Sequence, residues 1–597
     1  MSGFLRKATA VAVSLLLTGN LIYAYDFDAT SPDSIKNVAK QLAGDLMSMY
    51  NGNEPGQTPG LLPQPYYWWE AGALMGALID YWYYTGDTTY NDITQQGMLH
   101  QTGPYNDYMP MNQTLTEGND DQGFWGMAAM TAAEYNFQNP EHGQPQWLAL
   151  AQAVFNTQAA RWEVEHCNGG LRWQIFTWNS GYDYKNSISQ ACFFNVAARL
   201  ALYTGNSTYA DWAVKTWDWM VGVGFIDENY RVYDGATIGH NCTEITPYEF
   251  SYNVGAFLLG AAAMVEYSNK GEKTNDAALW HERVDGLLNS TELIFFFGGD
   301  DDVDDKVMIE VACESVTLCD VDQQSFKAYL SRWMAATTKW APWTFDRIKR
   351  LLRNSAEAAV RQCTGGANGR MCGMKWANNS GLWDGTTGVG QQMAVMEVVL
   401  ANMIEQAKPP VTNLTGGTSA GDPAAGGQDS GRVDPVRRRF GPIRAGDRAG
   451  AAFVTFVILA SLLAALVFMV LDEIEPDAAA TPNSSAGEAA AAAAAEANGD
   501  GSATPEDEGS SILPGQNSRT RRTRSESPRN AAGGSRSPRR RVRGRVPARK
   551  PLSSSSTPSS SALPSNFTEY PVLDTRYDMA GVGTSYLPVA GSSRPQC

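Results

Sequence analysis

The chain has 597 residues, a formal net charge of −17, and 17 Trp, 25 Tyr and 21 Phe. Residues 519–550 hold thirteen Lys or Arg against one acid, Glu526, so removing that +12 leaves −29 over the remainder. A folded portion that acidic excludes nucleic acid and phosphate-rich partners, because like-charge repulsion opposes the encounter.

Arg6 and Lys7 precede an apolar run from Ala8 to Leu17, with Ala24 as a small residue before Tyr25. The run is too short to span a bilayer and reads as a secretory signal peptide over 1–24. Nearly all aromatics lie before residue 410, which marks the part of the chain that can bury a core. From Ser34 to Gln406 the pattern is helix after helix. Tyr84-Thr85-Gly86-Asp87 and Tyr203-Thr204-Gly205-Asn206 each close one apolar segment with a glycine, and the next segment restarts within a few residues. Antiparallel helical hairpins repeating every ~50–65 residues point to an all-α, six-hairpin (α/α)6 toroid over 25–407. Alternation suited to β-structure is scarce apart from Gly170–Thr177.

The sharpest candidate site is Gly118-Asn119-Asp120-Asp121-Gln122-Gly123-Phe124-Trp125, which leads into a helix. One acid there is explained as a helix cap. Two adjacent carboxylates beside Trp125 fit a second reading, a glycosidase pair. Retaining hydrolysis needs two carboxyls ~5–5.5 Å apart, and neighbouring loop residues can supply them. The helix N-terminus would hold the nucleophile ionised while mutual repulsion raises its partner. Trp and Tyr offer flat apolar faces for sugar rings.

Trp68-Trp69-Glu70-Ala71-Gly72, Asn119-Asp120-Asp121-Gln122, Gly169-Gly170-Leu171-Arg172-Trp173-Gln174-Ile175 and Tyr184-Lys185-Asn186-Ser187-Ile188 occur in that order. Together with Cys363 and Cys372-Gly373-Met374-Lys375-Trp376 they resemble the fungal branch of glycoside hydrolase family 76, the endo-α-1,6-mannanases and related cell-wall proteins. The resemblance covers roughly 30–405. It implies an (α/α)6 toroid, retaining cleavage of α-1,6-mannosidic links, Asp120 as nucleophile and Asp121 as acid/base. It also implies action on mannan or on the mannan core of lipid-anchored wall glycoproteins, by hydrolysis or transglycosylation. Candidate sugar contacts are Trp69, Glu70, Asn119, Trp125, Trp173, Lys185 and Asn186. Two of Trp69, Trp125 and Trp173 are expected in the cleft and the third in the core; Lys185 reads equally as a surface charge or a sugar contact. The alternative function is a non-catalytic, mannan-binding wall scaffold.

No cofactor or metal is expected: the five His lack metal-ligand spacing. Asp300, Asp302 and Asp304 mimic the start of a calcium loop but are followed by Asp305 and Val311 where Gly and Glu are needed. Gly417-Thr418-Ser419-Ala420-Gly421 matches a nucleophile-elbow pattern without the flanking strand and helix. Natural cysteine pairs are Cys313 with Cys319 and Cys363 with Cys372. Cys167 can pair with Cys242, leaving Cys192 as a buried thiol and Cys597 in the tail. Sequons at Asn112, Asn206, Asn241, Asn289, Asn378 and Asn413 suit a glycosylated, lumenal domain.

A Pro/Gly/Ser linker is expected over 408–448, a transmembrane helix over 449–471, and a disordered, partly basic cytoplasmic tail over 472–597. Arginines 437–448 before the span oppose that orientation, whereas the signal peptide and the sequons require it. Many relatives of the resembled family end in a lipid-anchor signal, and this chain instead carries an internal apolar span. The expected location is the secretory pathway, an endomembrane or the plasma membrane, with the catalytic domain facing the lumen or wall. Ser527-Pro528 and Ser537-Pro538 lie inside the basic run, where phosphates would weaken its attraction to anionic lipid. Other partners of the tail are unknown from composition.

Overall fold

The computed structural model describes residues 25–271, 274–298, 305–377, 383–426 and 445–472. The signal peptide, Asn378, Asp300, Asp302, Asp304 and everything beyond 472, including Cys597 and the basic run, lie outside the described residues.

The helices come in pairs: α1 (Pro32–Met47), α2 (Trp68–Thr85), α3 (Asn91–His100), α4 (Asn119–Glu134), α5 (Trp147–Arg161), α6 (Ser187–Thr204), α7 (Ser207–Gly222), α8 (Ser251–Lys270), α9 (Thr274–Phe295), α10 (Phe326–Trp340), α11 (Phe345–Arg361) and α12 (Val389–Ala401). The even-numbered helices form an inner ring, each packing on the next and α12 returning to α2, while the odd-numbered helices pack outside them. The six-hairpin expectation matches this arrangement. Inner helices meet protein on every side: in α6 each residue from Ser187 to Tyr203 is buried. Outer α11 buries a single stripe that includes Ile348, Leu351, Leu352 and Ala359, as an amphipathic surface helix should. Gly86 and Gly205 end α2 and α6 at φ 76° and 73°, a left-handed conformation that costs a Cβ-bearing residue energy.

Short strands decorate the ring. β1 (Tyr184–Asn186), β2 (Tyr233–Thr237) and β3 (Ile245–Glu249) form an antiparallel sheet in that order, with Lys185 opposite Ala236. β4 (Phe296–Phe297) pairs with β5 (Val307–Met308). Gly170–Thr177, the stretch with the strongest β-like alternation, forms no strand and contributes a single bridge, Gly118 to Gln174.

The domain runs past residue 407. Residues 408–426, linker by composition, strap the outside of the ring. Val411 N–H donates to Glu134 O at 2.8 Å, Leu148 N–H to Ser419 Oγ at 2.9 Å, and Asn156 Nδ2 to Ala425 O at 2.8 Å. Ser419, the residue of the elbow-like pattern, therefore accepts from the first turn of α5 on the outside of the ring. Polar side chains on α5 satisfy the strap's backbone, which composition alone cannot reveal.

Disulfides join Cys167 to Cys242, Cys313 to Cys319 and Cys363 to Cys372, and Cys192 is a buried free thiol. Asn112, Asn206, Asn241, Asn289 and Asn413 are exposed. A further helix, α13, spans Ala445–Asp472. Among the described residues no helix is long and apolar enough to cross a membrane; the described side chains of α13 stop at 450 and 452–467.

Candidate active site

The N-terminal ends of inner helices α2, α4, α6, α8 and α10 converge on one cleft of about 460 Å³. Trp69, Asp120, Asn186, Tyr252 and Phe326 reach it from those helix starts, Asp234 from β2, and Trp173, Asn179 and Asp322 from loops.

Asp120 and Asp121 open α4. Asn119 fixes this entry: its N–H donates to Trp173 O at 2.8 Å, its Nδ2 to Arg172 O at 2.8 Å, and its Oδ1 accepts from Arg161 Nε at 2.7 Å. Asp120 Oδ2 accepts from Asn186 Nδ2 at 2.9 Å and Oδ1 from the Asp121 N–H at 3.1 Å. Asp121 reaches back to the Gly118 N–H at 2.6 Å. Burial raises Asp120 to about 7 although Asn186 and backbone donors favour its charged form. Burial, then the charge of Asp120, pushes Asp121 well above the carboxylate range, opposed by the Gly118 N–H. The helix N-terminus favours the ionised nucleophile, and desolvation of Asp120 opposes it more strongly.

Trp69 and Trp173 line the cleft, Trp173 with 38% of its surface exposed. Trp69 Nε1 donates to Asp322 Oδ1 at 2.9 Å, and burial together with Asp320 raises Asp322 to about 6. Trp125 is in the core, between Trp68 and Tyr108 at ring distances of 5.4 Å each. Three further expected sugar contacts are placed elsewhere. Glu70 is fully buried and accepts from the Tyr67 N–H at 2.8 Å as the cap of α2, and burial lifts it to about 8. Asn119 is used up by the ties above. Lys185 is neither a surface charge nor a cleft residue: its side chain is 0% exposed. It donates to the carbonyls of His166 at 2.8 Å and Gly169 at 2.6 Å and pairs with Glu163 at 3.1 Å. Lys185 thereby ties the loop carrying Cys167 to the strand that delivers Asn186.

Asp234, Asp322, Tyr252 and Phe326 escaped the sequence reading. Asp234 had one local signal, the neighbouring Gly235, where a Cβ would lie 2.3 Å from Lys185 O. Asp234 accepts from Tyr184 Oη at 2.8 Å. Among the described residues, four carboxyls and no Lys, Arg or His line the cleft, a field that favours a neutral ligand acquiring positive charge. Glu163, Glu165 and His166 converge closely enough to suggest a cation site, but Lys185 and Arg172 already neutralise Glu163, so no metal is assigned there.

Comparison with known proteins gives a consistent result. The description "Glycosyl hydrolase family 76" matches residues 34–414. Mannan endo-1,6-alpha-mannosidase DCW1 of Saccharomyces cerevisiae is 44% identical over 460 residues, covering 77% of this chain and 98% of that protein. Mannan endo-1,6-alpha-mannosidase DFG5 of the same yeast is 43% identical over 449 residues, covering 75% and 94%. The crystal structure of Dfg5 from Chaetomium thermophilum in complex with glucosamine has a TM-score of 0.63 and 47% identity, covering 70% of this chain and 100% of that one. With most of the described chain matched, and relatives above 40% identity aligned over nearly their whole length, this chain belongs to glycosyl hydrolase family 76.

Proposed function

We propose that this protein is an endo-acting, retaining α-1,6-mannosidase, acting on mannan or on the mannan core of wall glycoprotein anchors by hydrolysis or transglycosylation. The observation that carries the reading is the adjacent pair Asp120 and Asp121 in a cleft walled by Trp69 and Trp173, with no basic side chain among the described residues that line it. The Asp120 carboxylate attacks the anomeric carbon as the bond to the leaving sugar's O6 breaks, and Asp121 gives its proton to that oxygen. Asp121, now ionised, takes a proton from water or an acceptor hydroxyl, whose oxygen displaces Asp120 from the anomeric carbon. Asn186 orients the attacking carboxylate. Asp234 and Asp322 add negative potential to a transition state with oxocarbenium character. Incubation with linear α-1,6-mannan tests this directly. Shorter fragments support it, and intact polymer with measurable binding would mean a non-catalytic mannan-binding scaffold.

The same reading places the domain in the secretory pathway on the lumenal or wall side, supported by its exposed sequons and by curated relatives named as mannan mannosidases. α13 serves as its anchor. Set against a ~30 Å hydrocarbon core, the reading rests on the uncharged apolar run 449–471 of the sequence. Phe453, Phe456, Leu459, Leu462 and Leu466 stand exposed along it.

A further inference from the structure

A second cavity, of about 380 Å³, lies where α2 and α4 end and the chain leaves α12. Asp120 lies in the first turn of α4 and Tyr135 follows its last residue, so the two cavities are separated by about 22 Å of helix. Trp82, Tyr83 and Tyr135 form its aromatic wall, and Lys36, Gln406 and Lys408 its polar side. Tyr83 stacks on Tyr135 at 3.6 Å and donates to Lys408 O. Among the described residues neither Lys36 nor Lys408 makes an ion pair. The volume is in the range of small-ligand sites.

Three kinds of ligand can be weighed against these walls. An anion would meet the lysines but also the negative ends of the inner helices. It would also enter the field of an acidic protein. An apolar ligand would use the aromatic wall alone and leave Gln406 and Lys408, both exposed, to water. A neutral pyranose satisfies both sides: its hydroxyls accept from Lys and Gln and donate toward the helix ends, and its C–H face lies on the rings. Beneath the floor, Glu134 is paired with Arg199, and Asp80 and Glu397 with Arg332. Burial, then Asp80 and Glu134, holds the Tyr83 phenol above its ordinary range, and burial, then Tyr84 and Asp80, does the same for Tyr135, so both phenols remain neutral.

We infer that this cavity is a second, non-catalytic saccharide site at the end of the ring remote from the cleft, binding neutral hexose units of a polymer so that the enzyme is held on it. The inference does not rest on the catalytic assignment, because its test reads binding. Full-length Asp120→Asn protein would be titrated calorimetrically with α-1,6-mannotetraose, a linear β-glucan tetrasaccharide and mannose 6-phosphate. Retention on insoluble mannan and β-glucan would be measured in parallel. Trp82→Ala and the surface pair Lys36→Ala/Gln406→Ala would each be placed in the same background, and also in the active enzyme. The expected result is loss of one binding site and about tenfold weaker retention on at least one polymer, with tetrasaccharide hydrolysis by the active variants unchanged. Unchanged hydrolysis also shows that the variants fold. Retention that survives both changes overturns the site, as does mannose 6-phosphate binding there more tightly than the neutral sugars. If hydrolysis is absent in the unmutated protein, the catalytic reading fails and the binding result still decides this one.

Discussion

A Cβ added to Gly118 would lie 2.2 Å from Asp120 Oδ1 and 3.0 Å from the carbonyl oxygen of Trp173. The backbone there is extended, at φ −97° and ψ 168°, so any residue could adopt it. Glycine is needed for the carboxylate, not for the turn. Gly118→Ala should therefore lower kcat about 100-fold by displacing Asp120 by ~1 Å while moving the melting temperature little. Steady-state kinetics and thermal unfolding of the same preparation check both halves. Normal kcat would show that Asp120 does not need this position.

Asp120→Asn and Asp121→Asn should each reduce turnover by about 10²–10⁴-fold or more, measured on linear α-1,6-mannan. The first should also change stability with a defined sign. Burial raises the Asp120 carboxyl from 3.8 to about 7 in the folded protein. Between those values the unfolded chain binds fewer protons, so this group makes stability fall as pH rises through the window. Asp120→Asn should raise the melting temperature at pH 7.5 by roughly a few degrees, with the gap closing near pH 4.

Asn186→Ala removes the donor at 2.9 Å that favours ionised Asp120. A hydrogen bond to a charged group contributes about 1.5–3 kcal/mol, equivalent to about 1–2 pH units. Since attack needs the ionised form, the acidic limb of kcat/KM should move to higher pH by that amount. The same change removes the acceptor of the Ser189 N–H at the start of α6, for about 1 kcal/mol of stability. A pH profile of unchanged position would mean that Asn186 acts on the sugar alone.

Lys185→Met should act on folding. Three backbone carbonyls lose their donor and Glu163 keeps Arg172, a loss of about 1–3 kcal/mol for buried acceptors left unsatisfied. Chemical denaturation should show it, with Asn186 and hence kcat affected alongside. A Lys185 that touched sugar would change KM at unaltered stability.

The first-formed product should retain the α configuration. Asp120 and Asp121 are adjacent in sequence, whereas inverting enzymes hold their carboxyls ~6.5–9.5 Å apart to admit water. Proton NMR during the first turnovers reads the anomer, and a β product would rule out attack by Asp120.

Local chemistry in the chain was enough to read helix pairing, the Asp120-Asp121 pair and the local cysteine bridges. Gly86 and Gly205 mark helix ends because only a residue without a side chain enters the left-handed region at little cost. Two adjacent aspartates before an apolar helix are visible without any fold. Orientation was not visible in the same way. An inner helix such as α4 is buried on nearly every face, so its apolar pattern has no polar side to tell inward from outward. This is why Trp69 and Trp125 look alike in sequence, yet one lines the cleft and the other fills the core. Glu70 and Asp121 are the same local motif, an acid in the first turn reaching back to a capping N–H. Only closure of the ring puts Asp121 at the cleft and Glu70 behind it. Asp234 and Asp322 join the site because strand β2 and a loop far from it in the chain meet where the inner helices begin. The sequence by itself determined which residues could do the chemistry; closing the six hairpins decided which of them face the sugar, because convergence of helix starts is a property of the ring and of no single segment.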